Sequence, residues 1–171
     1  MRTVDPGVKA TETKGRDKTV TWKALTFDEL SNNQLFELLK LRVDVFVVEQ
    51  NCPYPELDEK DRHSETHHLM GFKDEELVAC ARLLPAGLSY PSISIGRVAT
   101  RQSFRGKGAG KLLMQSAIAH CENLWPGQDI EIGAQEYLKG FYESFGFVAT
   151  SDMYLEDDIP HIDMIRSTHN G

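Results

Sequence analysis

A glycine-rich, positively charged segment is the part of this sequence whose residues most clearly predict chemistry. FRGKGAGKLLMQ, residues 104–115, places three glycines and three cations at the start of an apolar, helix-forming run. Backbone N–H groups of such a turn, together with the positive end of the following helix, are typical of a phosphate-binding site. Nucleotides, dinucleotides and coenzyme A all present phosphates to such loops, so the spacing must distinguish between them.

The spacing excludes the two commonest nucleotide-binding motifs. A P-loop has four residues between its first glycine and a Gly-Lys pair that is followed by Ser or Thr. Here three residues separate Gly106 from Gly110, and Leu112 follows Lys111, so no hydroxyl stands where Mg²⁺ would be held. The dinucleotide fingerprint GxGxxG fails as well, because Lys111 occupies the position of its third glycine.

The segment instead resembles the pyrophosphate loop of the GNAT family of N-acetyltransferases, whose pattern is R/Q-x-x-G-x-G/A. A side chain at Gly108 or Gly110 would hinder close approach of the backbone to a pyrophosphate. The resemblance implies that coenzyme A is bound by six consecutive residues: Arg105, Gly106, Lys107, Gly108, Ala109 and Gly110.

A second motif follows in the order that the family has. GFYESFGF, residues 140–147, resembles the FYxxxGF element, whose short helix carries a tyrosine beside the cofactor sulfur, and Tyr142 stands at that position. Gln135 takes the place of the usual Asn that reaches the pantetheine arm, a departure that keeps the amide chemistry. Val98 and Thr100 match the positions whose backbone groups contact pantetheine in the family's fourth strand.

Three further stretches are similar to the ElaA-type branch of the family: LRVDVFVVEQNCPYPELD, HLMGFKDEELVACARLL and EDDIPHIDM. The resemblance covers residues 19–171. It implies a single-domain α/β GNAT fold, with a central mixed, mostly antiparallel twisted sheet flanked by helices. It also implies an acetyl-CoA-dependent acetyltransferase, with acetyl-CoA as cosubstrate and no metal, but it supplies no acceptor.

Transfer of an acetyl group to an amine by direct attack, through a tetrahedral intermediate, requires defined residues. A strand amide near Val98 is predicted to hold the oxyanion. Tyr142 is predicted to be the general acid for the departing thiolate, because a phenol is neutral at pH 7; the alternative role is packing between neighbouring phenylalanines. Glu49, which follows an apolar helix end, is the predicted base. His68 and His161 are weaker candidates, and a water chain without a single base stays open.

Charge and cysteine content restrict the partners and the compartment. The chain of 171 residues has a net charge of −7, the opposite of what nucleic-acid binders show. No apolar stretch approaches the length of a membrane span. The cysteines Cys52, Cys80 and Cys121 form neither a CxxC motif nor a disulfide framework, which favours the reducing cytoplasm. Residues 1–18 are predicted to be a flexible N-terminal tail that precedes the domain at 19–171.

Polar residues outside the motifs allow more than one interpretation. The histidines at 63, 67 and 68, with Cys52, lack the spacing of a helical zinc-ligand pair. Two acidic groups are predicted to be solvated loop charges, with a lining of the acceptor side as the alternative. They are Glu56, Asp58, Glu59 and Asp61, and Glu156, Asp157 and Asp158.

The elements that must position these residues are predicted in the order β-α-β-β-β-α-β-α-β-β. A first strand spans 20–26, and a helix capped by Ser31 and Gln34 spans about 32–47. A hairpin turns at Lys73-Asp74-Glu75, a strand spans 92–100, and a helix follows the glycine loop to about 125. A strand at 129–135 and a short helix closed by Gly146 precede two final strands, FVATSDMYLED and HIDMIRS.

The leading functional hypothesis is therefore an N-acetyltransferase that acts on a primary amine of a small molecule or peptide. The alternative is a catalytically silent acyl-CoA-binding regulatory module on the same fold, since a fold does not determine a function. Tyr142 favours the enzyme, because a binding module needs no acid beside the sulfur. Exposed edge strands allow a homodimer.

Overall fold

A computed structural model describes residues 19–168 of the chain, so the predicted tail at 1–18 lies outside the described residues. The eight strands are β1 (Thr21–Leu25), β2 (His67–Lys73), β3 (Glu76–Leu84), β4 (Ile93–Thr100), β5 (Ile130–Gln135), β6 (Val148–Ala149), β7 (Tyr154–Glu156) and β8 (Ile159–Arg166). The three α-helices are α1 (Asn32–Val43), α2 (Ala109–Leu124) and α3 (Lys139–Glu143).

The strands form one mixed sheet in the order β1-β2-β3-β4-β5-β8-β6, with β7 also paired to β8. Neighbouring strands are antiparallel except β4 and β5, which are parallel. The predicted α/β fold with a mostly antiparallel sheet is therefore confirmed. The predicted hairpin is also present: Asp74 and Glu75 both have positive φ, as a two-residue turn between antiparallel strands requires.

Helix α1 covers one face of the sheet and α2 covers the other. Ser31 accepts a hydrogen bond from the Gln34 amide at the start of α1, which confirms the predicted cap. Apolar residues of α1 pack on Met70 and Cys80. Leu69 points to the opposite face of the sheet, because successive side chains of a strand alternate, and apolar residues of α2 pack on it. Each fully buried Leu or Met side chain among them contributes about 1.5–3 kcal/mol to folding.

Two predicted elements differ from the structure. The α-helical part of the first helix ends at Val43, and Asp44–Glu49 continues it as a π-helix, a form that is frequent at functional sites. The segment FVATSDMYLED was predicted to be one strand but forms two short ones, β6 and β7. The chain between them turns because the Thr150 amide and the Ser151 hydroxyl hydrogen-bond to the backbone of Asp163.

Candidate active site

A cavity of about 890 Å³ opens where the two parallel strands separate. Strands β4 and β5 pair only at Ile93–Ile130 and Ser94–Glu131, near their first residues, and then diverge. The cavity is lined by β4 from Ser94 to Val98 and by β5 from Ile132 to Gln135. Separation of the strands leaves backbone groups of both facing the cavity instead of each other.

A bulge in β4 changes its backbone at this cavity. Cys80 of β3 is opposite Ala99, but Arg82 is opposite Gly96, so Arg97 and Val98 together face a single residue, Ala81. Arg97 has a φ of +50°, which is uncommon for a residue with a side chain. Because a bulge leaves one residue outside the ladder, the segment at Val98 can offer a backbone group to a ligand.

The glycine loop forms the N-terminus of α2, as the sequence predicts. Gly106, Lys107 and Gly108 have φ values of +89°, +52° and +81°, so the chain follows a left-handed path into the helix. Gly108 is the N-cap and has no side chain to occupy the helix N-terminus. Free N–H groups and the helix dipole at this end are suited to an anion.

Arg105 fixes the start of this loop. Its guanidinium donates to the Thr100 carbonyl at 2.7 Å and to the Glu49 carboxylate at 2.8 Å. The structure thus brings the last residue of β4, the loop and the end of the π-helix together. Glu49 does not line the cavity, and its ion pair with Arg105 is more than one-third exposed.

Tyr142 lies in α3 and lines the cavity, although its side chain is only 7% exposed. The ring packs edge-on against Phe141 and Phe147. Within residues 19–168, no protein group forms a hydrogen bond with its hydroxyl. Burial, with a smaller contribution from Tyr137, raises the pKa of Tyr142 to about 12, so the phenol is protonated at neutral pH.

Gln135 is the last residue of β5 and lines the same cavity. Its backbone is paired with that of His161 in β8. The structure therefore brings Val98, Gln135 and Tyr142 to one cavity and places the loop from Arg105 to Gly110 at the helix that follows β4. The binding and catalytic roles of these residues remain predictions.

One side of the cavity is supported by a buried charge network of Arg42, Glu56, Asp58, Asp61, Arg82 and Arg97. Arg42 donates to Glu56 at 2.7 Å and to Asp61 at 2.8 Å, and both carboxylates are almost fully buried. Arg82 donates to Asp58 and Asp61, and Arg97 donates to Glu56. The expectation of solvated loop charges is therefore wrong for Glu56 and Asp61, because arginines distant in sequence bury them.

The opposite wall holds a tyrosine–aspartate cluster, formed by Tyr90, Tyr154 and Asp163, that the sequence analysis did not identify. Both tyrosine hydroxyls donate to the same Asp163 oxygen, Oδ1, at 3.0 and 2.7 Å. Burial, followed by the hydrogen bond to Asp163 and its charge, raises the pKa of each tyrosine. In the sequence, the only signal was the alternation of β8, where polar His161 and Asp163 alternate with apolar Ile162 and Met164.

The two candidate histidines have different environments. His68 is buried, and its Nε2 hydrogen-bonds to the Asp61 carbonyl at 3.0 Å. Burial lowers the pKa of His68, and the residue has a structural position. His161 lines the cavity and stacks on Tyr154. Its Nδ1 lies 2.8 Å from the Ile159 carbonyl, which can only accept, so Nε2 carries the free lone pair of the neutral ring.

The remaining acidic residues lie either at the cavity or at the protein surface. Glu156, Asp157 and Asp58 line the cavity, whereas Glu59 is exposed and ion-paired to Arg62. Among residues 19–168, no group of three or more His, Cys, Asp or Glu is arranged to hold a metal ion. None of the helices in that range is long and apolar enough to cross a membrane.

Comparisons with known proteins agree with this geometry. A family model described as "Acetyltransferase (GNAT) domain" matches residues 32–168. Protein ElaA of Escherichia coli K12 is 44% identical over 147 residues, which cover 86% of this chain and 96% of ElaA.

Solved structures give the same result. An acyl-CoA N-acyltransferase from Pseudomonas aeruginosa superposes with a TM-score of 0.83 at 42% identity, covering 87% of this chain and 100% of the other. The crystal structure of E. coli ElaA gives a TM-score of 0.82, also at 42% identity and with the same coverage. The chain therefore belongs to the GNAT acetyltransferase family and is similar to ElaA over most of its length.

Proposed function

We propose that the protein is an N-acetyltransferase that transfers an acetyl group from acetyl-CoA directly to a primary amine. The observation that carries this proposal is the cavity between β4 and β5, which has Val98 on one side and Tyr142 with Gln135 on the other. The loop to which we assign phosphate binding begins at Arg105, five residues after β4 ends. An extended cofactor with a pyrophosphate at one end and a thioester at the other fits this arrangement.

Each end of acetyl-CoA has proposed partners. The amides of the loop from Gly106 to Gly110, with Arg105 and Lys107, hold the pyrophosphate. Backbone groups at Val98 and Thr100 and the amide of Gln135 hold the pantetheine arm. The Thr100 carbonyl and Glu49 already hold the Arg105 guanidinium, so its cation is fixed before the cofactor arrives.

The chemistry then proceeds by attack of the neutral amine on the thioester carbonyl. The backbone amide at Val98 stabilises the tetrahedral oxyanion. Collapse of the intermediate breaks the carbon–sulfur bond, and Tyr142 donates its proton to the departing thiolate. A phenol whose pKa burial raises to about 12 holds this proton at neutral pH.

Glu49 remains the proposed base that accepts the amine proton. It lies outside the cavity lining and is paired with Arg105, so a proton must reach it through water. This placement keeps a water relay without a single base as the alternative. We also propose that the protein acts in the cytoplasm, needs no metal, binds no nucleic acid or membrane, and is able to form a homodimer.

A thermal-shift experiment tests the cofactor. Acetyl-CoA should raise the melting temperature by binding the native state, and ATP or NAD at equal concentration should not. Stabilisation by ATP without stabilisation by acetyl-CoA would refute the assignment. Release of free thiol from acetyl-CoA across a panel of amines then separates an enzyme from a silent acyl-CoA-binding module.

A further inference from the structure

The tyrosine–aspartate cluster occupies the face of the sheet that the α2 helix does not cover. In β8, Ile162 and Met164 belong to the core beneath α2, so Asp163 and His161 point to the opposite face. The glycine loop lies at the start of α2. The cluster is therefore on the far side of the sheet from the cofactor phosphates, and both sides meet at the gap between β4 and β5.

The position of Asp163 is fixed by its neighbours. Its amide donates to the Ser151 hydroxyl at 2.9 Å, and its carbonyl accepts from the Thr150 amide at 2.8 Å. Gly133, the residue paired with it in β5, leaves the space that the cluster fills, because a Cβ there would lie 2.9 Å from the Tyr90 hydroxyl oxygen. The cluster is thus a formed site and not a mobile surface charge.

The hydrogen bonds leave one carboxylate oxygen available. Both tyrosines donate to Oδ1, and in the described part of the chain no group donates to Oδ2 and no Lys or Arg pairs with Asp163. The two hydroxyl donors hold the Asp163 carboxylate in place. A ligand that donates hydrogen bonds and carries positive charge satisfies both Oδ2 and the unpaired charge, beside two aromatic rings.

We propose that Asp163, positioned by Tyr90 and Tyr154, binds a second cationic group of the acceptor, so that the substrates are amines with an additional ammonium. This inference rests on the proposed N-acetyltransfer. Asp163 pairs with Gly133, two residues before Gln135 at the cofactor end of β5, an offset of roughly 7 Å along the strand. A short linear diamine spans such an offset, with one amine at the thioester and the other at Asp163.

The test is a series of linear diamines, each paired with the amino alcohol of the same chain length. Their affinities are measured by calorimetry on the full-length protein saturated with coenzyme A. The wild type should bind at least one diamine roughly 10-fold or more tightly than its amino alcohol, the size expected for a hydrogen bond between charged groups. Asp163→Asn should abolish this preference, whereas Asp152→Asn, at an exposed site outside the cavity, should retain it.

Gly133→Ala provides a second variant that keeps the carboxylate but displaces the tyrosine hydroxyls, and it should also reduce the preference. Equal binding of diamine and amino alcohol by the wild type, or an unchanged preference in Asp163→Asn, would overturn the proposal. The binding measurement is independent of turnover. If Asp163→Asn loses the preference but the wild type releases no thiol from acetyl-CoA, the subsite is upheld and N-acetyltransfer is refuted. If the wild type releases thiol but shows no preference for the diamine, N-acetyltransfer is upheld and the subsite is refuted.

Discussion

Both walls of the cavity contain carboxylates, but in opposite situations. In the buried charge network, Arg42, Glu56 and Asp61 are each at most 6% exposed and each is ion-paired. On the other wall, Asp163 and Glu156 have no ion-pair partner among the described residues. A buried, paired charge stabilises the fold, whereas an unpaired charge that faces a cavity is available to a ligand. Pairing and burial therefore distinguish the carboxylates that stabilise the fold from those available to a ligand, whereas residue type does not distinguish them.

The largest expected effect comes from Tyr142, which also lines the cavity. Tyr142→Phe keeps the ring and its packing, so the free energy of unfolding should change little. Turnover should fall by roughly 10²–10⁴-fold, the usual contribution of a general acid. The affinity for acetyl-CoA should change little, because the proton transfer matters in the transition state.

Steady-state kinetics with a working acceptor measure this effect, and Tyr137→Phe is the matched control, because Tyr137 is 79% exposed and outside the cavity. Circular dichroism confirms that both variants fold. Full turnover by a folded Tyr142→Phe protein would leave Tyr142 as a packing residue and assign the acid to bound water.

The comparison of the walls is tested directly by removing one carboxylate from each. Glu56→Ala leaves Arg42 without one of its buried partners and should lower the free energy of unfolding by about 3–5 kcal/mol. Glu156→Ala on the other wall should change it by only about 0.5 kcal/mol. Urea denaturation of both variants supplies the two values. Equal losses would show that the two walls do not differ in the way described.

A smaller effect is expected at the glycine loop. Gly108→Val places a β-branched residue in left-handed backbone and should weaken acetyl-CoA binding by about 1–3 kcal/mol. Gly127→Val is the control, because Gly127 has a φ of +76° and an equally open environment away from the loop. Calorimetric titration compares the two folded proteins. Equal affinity for acetyl-CoA in both variants would exclude the loop from phosphate binding.

The smallest expected effect is a change with pH in the stability that the charge network provides. Burial alone would raise the pKa of Asp61, but the hydrogen bonds and charge of Arg42, with Arg82, lower it well below its ordinary range. The stabilisation that this carboxylate provides is complete above its unfolded pKa of about 4 and is lost as pH falls toward the folded value.

Acidification should therefore narrow the stability difference between the wild type and Asp61→Asn, because near pH 3 the unfolded wild type takes up a proton at Asp61 that the folded state does not. Urea denaturation at neutral pH and at about pH 3 measures the difference. A difference that stays constant over this interval would show that the pKa of Asp61 is not lowered.

The residues predicted well from the sequence share a physical property, which is that local geometry determines their position. The glycine loop and the cap of α1 depend on contacts between near neighbours, and the structure confirms both. The short helix that carries Tyr142 was also predicted, because its sequence contains a recognisable motif.

The failures depend on distant contacts. Tyr90 meets Asp163 across 73 residues of sequence, and Arg42 meets Asp61 across 19. Neither pairing leaves a trace in spacing, so Asp163 was missed and Asp61 was predicted to be solvated.

The charge network also constrains how this protein changes during evolution. Glu56 accepts hydrogen bonds from both Arg42 and Arg97, and Asp61 accepts from both Arg42 and Arg82. Because each carboxylate serves two arginines, removal of either carboxylate deprives two arginines of a partner at once, which is strongly destabilising. The carboxylates at the turn of the β7–β8 hairpin, Glu156, Asp157 and Asp158, are exposed. Substitutions there should therefore cost less stability than substitutions in the charge network.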